Sequence, residues 1–238
     1  ALALGKMMEE IGWPKGAFSV LICATSLTED MVKDHRIAML SFTGSDTVGW
    51  NLKAISGKKK VTLELGGNAA VVIDAGTDLA AAAKSVAIGA NLYAGQTCIS
   101  TQRVFVVKPE FEPFRDLLVK ELNALKSGDP ADPEVSVGPI IGKGDYERIA
   151  AWVDEAVKGG AQLLAGGKPV DAARHVYAAT LLTGTKRSMK VDCAEVFGPI
   201  TVIEPVKDFA EGIARVNDST YGLQAGVFTN NFAHVKQA

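Results

Sequence analysis

Cys98 is a candidate nucleophile, because it stands in the glycine-led segment Gly95-Gln96-Thr97-Cys98, between a predicted long helix and a predicted strand. The thiolate is the reactive form of cysteine, and no Lys, Arg or His lies within four residues of Cys98 to stabilise it. Activation must then come from a group that is distant in sequence or from a bound cationic cofactor. The residues alone leave a buried, unreactive thiol as an equal alternative.

Glu64 is a candidate general base at the end of an apolar predicted strand, directly before Leu65, Gly66 and Gly67. Burial of a carboxylate among apolar side chains raises its pKa toward neutrality, and such a group can accept a proton at neutral pH. The functional interpretation therefore expects Glu64 to be buried. The alternative is an ordinary outward-facing strand residue, which the sequence taken alone favours.

A third segment predicts an anion-binding turn. An apolar strand ends at Phe42, and Gly44 and Ser45 follow immediately before a predicted helix that contains Val48. Glycine lets a phosphate approach the backbone, while the first N–H groups of the helix and the Ser45 hydroxyl can donate hydrogen bonds. The pattern is also typical of a plain helix N-cap, and the GxGxxG fingerprint of many dinucleotide sites is absent.

Glu195 and Phe197 form a fourth candidate pair, directly before the rigid turn Gly198-Pro199. The carboxylate of such a pair can accept hydrogen bonds from a ribose, and the aromatic ring can pack on a flat ligand ring. A surface glutamate beside a core phenylalanine fits these residues equally well.

The cysteines and histidines form no recognised cluster. The three cysteines are isolated and lack CxxC spacing, so neither a disulfide framework nor a zinc site is indicated. We expect Cys23, within the apolar residues 19–24, to be buried. Surface or capping roles are favoured for the three scattered histidines, His35, His175 and His234.

The elements that must position these residues alternate between strands and helices. Predicted strands are residues 20–24, 39–42, 61–65, 69–73, 103–107, 162–164, 201–203 and 225–228. Predicted helices are residues 29–34, 46–55, 112–125, 145–158 and 209–216, together with a long helix that begins near residue 78 and ends before Gly95. This order is typical of βαβ units and a mostly parallel sheet. A hinge between two domains is expected near Gly66-Gly67.

Composition and charge exclude several classes of partner. The 27 acidic residues outnumber the 25 basic ones, and the longest basic block is residues 58–60, so we expect no nucleic-acid partner. The apolar stretches are far shorter than the roughly 20 residues that span a bilayer, so no membrane partner is expected. These features and the isolated cysteines predict a cytoplasmic location.

Together and in this order, the four segments resemble the aldehyde dehydrogenase superfamily. The spacing of 34 residues from Glu64 to Cys98 and 97 from Cys98 to Glu195 makes the resemblance specific, and residues 217–229 also resemble a later family segment. The resemblance implies an α/β fold, in which a partial Rossmann-like cofactor domain at residues 1–66 precedes an α/β catalytic domain with a mostly parallel sheet at residues 67–238.

The resemblance also implies a role for each candidate residue. Cys98 would attack a small aldehyde, its backbone N–H would stabilise the oxyanion, and Glu64 would activate the water that releases a carboxylic acid. The implied cofactor is NAD or NADP. Its contacts match six positions of the chain, namely Gly44, Ser45, Val48, Leu65, Glu195 and Phe197.

Departures from the family pattern limit these expectations. In the family, a Trp-Asn pair far upstream of the glycine-serine turn supplies a second oxyanion donor, and a lysine on a nearby strand holds the adenosine ribose. Neither has a counterpart upstream of Gly44, and Trp50-Asn51 follows the turn instead. Both ends look cut, so we expect an internal fragment that is inactive alone and derives from a homodimeric or homotetrameric parent. The alternatives are a non-catalytic fragment and a CoA-acylating semialdehyde dehydrogenase, in which CoA resolves the thioester.

Two residues after Cys98 bear on substrate choice. Ser100 and Arg103 follow the candidate nucleophile and could favour a small polar aldehyde such as lactaldehyde or glycolaldehyde. Arg103 begins a predicted strand, so a structural ion pair is an equally good interpretation of that residue.

Overall fold

The computed structural model describes all residues 1–238, which form two compact units, Ala1–Leu65 and Gly66–Ala238. Each unit combines helices with parallel strands, and the α/β fold class predicted from the sequence is confirmed. The assignment of a cofactor-binding and a catalytic role to the two parts of the chain stays a prediction.

The first unit contains one βαβ element preceded by two helices. Its elements are α1 (Leu2–Glu10), α2 (Thr25–Lys33), β1 (Met39–Thr43), α3 (Asp46–Ile55) and β2 (Lys60–Glu64). The strands β1 and β2 are parallel neighbours, and their register pairs Thr43 with Glu64. Because the strands are parallel and α3 connects them, their carboxyl ends lie at the same edge of the sheet.

The predicted strand at residues 20–24 is wrong, because this segment is neither strand nor helix. A strand needs a hydrogen-bonded neighbour, and β1 and β2 pair only with each other. Leu21 and Ile22 are 74% and 77% exposed. Cys23 is exposed too, so the prediction that it is a buried apolar residue is also wrong.

The second unit is built around a six-stranded sheet. Its strands are β3 (Ala69–Ile73), β4 (Thr101–Val107), β5 (Gln162–Ala165), β6 (Pro169–Asp171), β7 (Val176–Tyr177), β8 (Thr180–Thr183), β9 (Ile200–Val206) and β10 (Ala225–Phe228). Its helices are α4 (Leu79–Asn91), α5 (Lys108–Ala124), α6 (Lys143–Lys158), α7 (Lys190–Cys193), α8 (Phe209–Asn217) and α9 (Phe232–Gln237). A 3₁₀ turn, Leu92–Gly95, follows α4.

The main sheet has the order β10-β3-β4-β9-β8-β5, and only β5 runs antiparallel to its neighbour. The predicted mostly parallel sheet is therefore confirmed. Strands β6 and β7 form a separate antiparallel pair. The sequence did not indicate these two strands or β8, because they are only two to four residues long and carry no clear periodicity.

Helices cover both faces of the sheet, and the alternation of side chains along β4 shows this directly. Val104 and Val106 belong to a large core cluster that includes residues of α4, α5 and α6. Phe105 and Val107 point the other way, into a smaller cluster against which Val216 of α8 packs. A strand that is buried on both faces has a continuous apolar sequence, as residues 104–107 of β4 do.

Candidate functional site

The anion-binding turn lies at the carboxyl edge of the small parallel sheet. The backbone N–H of Gly44 donates a 3.0 Å hydrogen bond to the carbonyl oxygen of Glu64, so the turn is tied to the end of the neighbouring strand. Ser45 is the N-cap residue of α3, and its hydroxyl makes no capping hydrogen bond to that helix. The exposed hydroxyl and the first N–H groups of α3 are therefore donors that an anion could use.

Two further cofactor candidates belong to the same unit. Val48 lies in the first turn of α3 and is 42% exposed. Leu65 packs directly against Gly49 of α3, where a methyl group would overlap the Leu65 side chain. The structure thus brings Gly44, Val48 and Leu65 to one helix and its turn, an arrangement that could hold a phosphate beside an apolar surface.

Glu64 does not have the environment that was predicted for it. Its side chain is exposed, because β2 alternates exposed and partly buried residues and Glu64 falls on the exposed side. The expectation that Glu64 is buried is therefore wrong for this chain. A role as general base has to rest on the position of Glu64 at the end of β2 rather than on desolvation.

The loop that carries Cys98 begins with an unusual backbone. Tyr93, Ala94 and Gly95 all have positive φ, at 51°, 56° and 70°, so the chain makes a left-handed turn directly after α4. Gly95 faces the backbone carbonyl of Gly198, and any side chain at position 95 would overlap it. The turn therefore places the Cys98 loop against the segment that carries Phe197.

Side-chain amide and hydroxyl groups fix the rest of this loop. Gln96 donates from Nε2 to the carbonyl of Pro139 at 3.1 Å and accepts at Oε1 from the N–H of Ile141 at 2.8 Å. Ser100 donates to the carbonyl of Ala90 at 3.0 Å. Between these anchors, Cys98 is partly buried, and no hydrogen bond within the chain occupies its backbone N–H. That N–H can therefore serve as a donor to a ligand.

Gly67 links Cys98 to Glu195. Its backbone N–H donates a 2.7 Å hydrogen bond to Oε1 of Glu195. Its Cα faces the carbonyl oxygen of Cys98 so closely that a β-carbon there would overlap that oxygen. The structure therefore brings together two residues that the sequence singled out separately, the candidate nucleophile and the candidate ribose ligand.

Phe197 follows Glu195 and is held in a strained conformation. Its φ is 51°, in the left-handed region that non-glycine residues rarely adopt, and its side chain is 39% exposed. Strained, exposed residues of this kind are common in ligand-binding segments. The alternative of a core phenylalanine is excluded by this exposure.

Arg103 is not a substrate contact. It is 1% exposed and donates to backbone carbonyls of Asn68, Arg215, Val216 and Asp218 at distances from 2.9 to 3.4 Å. Burial lowers its pKa to about 10, which leaves the guanidinium charged at neutral pH. Arg103 therefore has a structural role, as the alternative interpretation of the sequence predicted. Its hydrogen-bond partners are backbone carbonyl groups, whereas that interpretation expected an ion pair with a carboxylate.

Asn68 and Gln102 are polar residues of this site that sequence reasoning missed. Both are 4% exposed, and both donate hydrogen bonds to the backbone of the segment before Glu195. The available signal was a polar residue beside or within an apolar strand, since Asn68 precedes β3 and Gln102 lies in β4.

Two kinds of feature, a metal-binding cluster and a membrane-spanning helix, are absent from the structure. No group of three or more His, Cys, Asp or Glu residues is arranged to hold a metal ion. None of the helices has both the length and the apolar character needed to cross a membrane. His234 lies outside the candidate site, with its Nδ1 atom 2.6 Å from Oδ2 of Asp74.

Comparison with known proteins gives a consistent result. The model of the aldehyde dehydrogenase family matches residues 1–238. A 3-sulfolactaldehyde dehydrogenase of Priestia aryabhattai is 39% identical over 239 aligned residues, covering 100% of this chain and 50% of that protein. The crystal structure of lactaldehyde dehydrogenase from Escherichia coli superposes with a TM-score of 0.95 at 31% identity, covering 99% of this chain and 50% of the other.

A second solved structure concerns the cofactor. An aldehyde dehydrogenase of Mycobacterium tuberculosis, crystallised with NAD+, superposes with a TM-score of 0.94 at 29% identity and covers 99% of this chain and 50% of the other. The chain thus spans about half the length of the relatives that it matches.

Proposed function

Because the chain belongs to the aldehyde dehydrogenase family, we propose that it carries the nucleophile, the general base and most cofactor contacts of an enzyme that oxidises an aldehyde to a carboxylic acid with NAD+ or NADP+. The observation that carries this proposal is the position of Gly67, which contacts the Cys98 carbonyl and donates to Glu195. The reaction needs the nucleophile close to the carboxylate that binds the ribose, because the dinucleotide must lie beside the bound substrate.

The activity belongs to a polypeptide that also has the segments found in the longer relatives. The chain covers about half of each relative, and the second oxyanion donor and the ribose-binding lysine of the family match none of its residues. Loss of one oxyanion donor typically costs about 10² to 10³ in rate. The 238-residue chain alone is therefore expected to be inactive.

The residues present fit a dinucleotide. Gly44 has no side chain to block a phosphate, and Ser45 offers a hydroxyl that caps no helix. Val48 and Leu65 provide apolar surface, while Glu195 and Phe197 provide a ribose acceptor and an aromatic face. When bound, the dinucleotide supplies the oxidant by accepting a hydride from the substrate carbon.

The first half of the proposed reaction takes place on Cys98. The thiol proton passes to solvent water, the sulfur forms a bond to the aldehyde carbon, and the carbonyl oxygen becomes an alkoxide that the Cys98 backbone N–H can stabilise. Collapse of this thiohemiacetal re-forms the carbonyl as the hydride leaves, so that a thioester remains on Cys98. No metal is needed for these steps.

The second half releases the acid. Glu64 is assigned the removal of a proton from water, whose oxygen then attacks the thioester carbon as the carbon–sulfur bond breaks. The carboxylic acid leaves and the Cys98 thiol is restored. Glu64 is exposed at the end of β2, so the proposal rests on its position, from which it would hold the water and accept its proton.

The proposed substrate is a small hydroxyaldehyde, and the proposed assembly is a homodimer or homotetramer. Lactaldehyde and 3-sulfolactaldehyde are named in two of the relatives, and both carry a hydroxyl beside the aldehyde carbon. No cation lies within four residues of Cys98, and Arg103 is occupied by carbonyl groups. A positive group for a sulfonate or carboxylate would have to come from another segment.

The test is steady-state turnover of the full-length protein with glycolaldehyde or lactaldehyde and NAD+ or NADP+, followed by absorbance of the reduced dinucleotide. We expect turnover without CoA, and a loss of at least about 10³-fold in Cys98→Ser. A strict requirement for CoA would show that the thioester is resolved by acyl transfer to CoA and not by hydrolysis. Absence of aldehyde-dependent reduction with either dinucleotide would overturn the proposal.

A further inference from the structure

The Gln102 carboxamide uses both of its ends on the segment that carries Glu195. Nε2 donates to the carbonyls of Val191 at 2.9 Å and Ala194 at 2.7 Å. Oε1 accepts from the backbone N–H of Val196 at 2.9 Å. Glu195 therefore lies between two residues whose backbone is bound by one buried side chain, and Gln102 has no donor or acceptor directed elsewhere.

Asn68 makes a second set of bonds to the same segment. Its Nδ2 donates to the carbonyls of Asp192 at 2.8 Å and Ala194 at 3.2 Å. Its Oδ1 is buried and has no hydrogen-bond partner within the protein. The only hydrogen bonds of the Asn68 side chain are therefore the two that it donates to the backbone before Glu195.

These two amides complete a closed set of contacts around Glu195. Gly67, directly before Asn68, donates to the Glu195 carboxylate. Arg103, directly after Gln102, donates to the carbonyl of Asn68 at 3.2 Å from Nη2. The backbone on both sides of Glu195 is thus bound by the two buried amides, and its carboxylate is bound by Gly67, the neighbour of one of them. Strand β4, which carries Gln102, begins three residues after Cys98.

We propose that Gln102 and Asn68 are positioning residues, which act through Glu195 by holding residues 191–196 so that its carboxylate has one fixed place beside Cys98. The inference rests on the proposed function, because it takes Glu195 to be a ligand of the dinucleotide ribose. Neither amide is assigned a contact with cofactor or substrate. The two amides limit the orientations that the Glu195 side chain can adopt in the free protein. Binding of the dinucleotide then costs less conformational entropy.

A substitution that keeps the shape but removes the hydrogen bonds isolates this effect. In Gln102→Met, the carbonyls of Val191 and Ala194 and the N–H of Val196 lose their partner, and the segment gains freedom. We expect the dissociation constant for NAD+ or NADP+ to rise by about 10-fold to 100-fold, as is common when supporting residues of a site are removed. The rate at which iodoacetamide alkylates Cys98 should change by less than about twofold, because the loop anchors of Cys98 are other residues.

A matched control variant tests whether the loss of any buried hydrogen-bonding side chain would weaken dinucleotide binding as Gln102→Met does. Thr180 is 1% exposed, accepts from the N–H of Gly167 at 2.9 Å and donates to the carbonyl of Ala178 at 2.7 Å, and it makes no bond to residues 191–196. Thr180→Val should lower the melting temperature without altering the dissociation constant of the dinucleotide.

The deciding experiment is a double-mutant cycle for dinucleotide binding in the full-length protein, with wild type, Gln102→Met, Glu195→Gln and the double variant measured by calorimetric titration. If Gln102 acts through Glu195, Gln102→Met weakens binding in wild type and has less than about a twofold effect in the Glu195→Gln background. Asn68→Ala provides a second, independent cycle if Gln102→Met does not fold. Equal losses in both backgrounds, or no loss in either, overturn the inference alone. A wild-type protein that binds neither dinucleotide overturns the proposed function and this inference with it.

Discussion

The backbone N–H of Gly67 donates a 2.7 Å hydrogen bond to the Glu195 carboxylate, across 128 positions of sequence. The same glycine has its Cα against the carbonyl oxygen of Cys98. Residues from three distant segments therefore meet at one backbone group. The backbone of Gly67 contacts both Glu195 and Cys98. The loss of stability when a side chain is added at position 67 therefore measures how tightly these segments pack.

Gly67→Ala is expected to destabilise the protein by about 1 to 3 kcal/mol, because the added methyl group can fit only if the Cys98 loop moves. Movement of that loop also changes the surroundings of the thiol. Urea denaturation gives the free energy of unfolding, and the alkylation rate of Cys98 reports the local change.

Gly144→Ala is the matched control for this substitution, since a methyl group at that helical position meets nothing within 4 Å. It should leave stability unchanged or raise it by about 0.5 kcal/mol. A Gly67→Ala protein as stable as wild type, with the same alkylation rate, would show that Cys98 and Glu195 are not closely packed through position 67.

Arg103→Lys tests the structural role of the buried guanidinium. A lysine has three donors in place of five and cannot reach the carbonyls of Asn68, Arg215 and Val216 together. We expect a loss of about 2 to 4 kcal/mol in the free energy of unfolding, measured by chemical denaturation. Arg174→Lys is the matched control, because the Arg174 side chain is 61% exposed and its ion pair with Asp129 lies at the surface; it should change the free energy of unfolding by less than about 0.5 kcal/mol.

The same Arg103→Lys protein also addresses substrate choice. The ratio of kcat/KM for lactaldehyde to that for a neutral alkyl aldehyde should stay within about twofold of wild type, since Arg103 touches only the protein. A selective loss of the polar substrate would restore Arg103 as a specificity residue.

Tyr93→Asn is expected to stabilise the protein by about 0.5 to 1 kcal/mol. Tyr93 has φ 51° and is 74% exposed, so its side chain contributes little packing, while asparagine tolerates the left-handed region better than tyrosine does. Differential scanning calorimetry measures the shift. Leu92→Asn, at an exposed neighbour with φ −54°, should give no gain. Equal shifts in both variants would mean that backbone strain at Tyr93 is not the cause.

Asp74 predicts a loss of stability in acid. Burial alone would raise the pKa of Asp74, but hydrogen bonds from Thr229, His234 and the N–H of Ala75 outweigh it and hold the pKa below its usual 3.8. Its contribution is therefore fully present above pH 3.8 and is lost as the pH falls through the lower folded-state value. Free energies of unfolding measured between pH 2 and pH 7 should show this decline.

Asp74→Asn should lower stability at neutral pH by about 1 to 3 kcal/mol, since it weakens hydrogen bonds in a buried site. It should also make the decline below pH 4 shallower. Thr229→Val removes one of the donors and should give an intermediate result. If the free energy of unfolding declines equally steeply at low pH in wild type and in Asp74→Asn, the decline comes from other carboxylates.

The α/β organisation was predictable because its signals are local. The long helix after Asp78, the fully buried strand β3 and the apolar strand β4 follow from periodicity and capping, and the structure confirms them. The segment at residues 20–24 failed for the opposite reason. Its composition favours a strand, but strand formation depends on a neighbour that the composition of one segment does not reveal.

The site was predictable only in part. Residue type and order singled out Cys98, Glu195 and the Gly44 turn as candidates, whereas the hydrogen bond between Gly67 and Glu195 comes from a backbone group and has no side-chain signal. The buried amides of Asn68 and Gln102 stand out only once their carbonyl partners are known. Glu64 shows that a carboxylate in an apolar sequence context can still face outward when its strand alternates.

The most direct test of the account is the intact mass and peptide map of full-length Glu64→Gln after it is mixed with lactaldehyde and oxidised dinucleotide. Without its general base, the protein should stop at the thioester, so that its mass rises by one acyl group, located on the peptide that contains Cys98. Hydroxylamine should remove that group, and Cys98→Ser should gain none. An acyl group on any other residue, or continued turnover of Cys98→Ser at the wild-type rate, would contradict the assignment of Cys98 as the nucleophile.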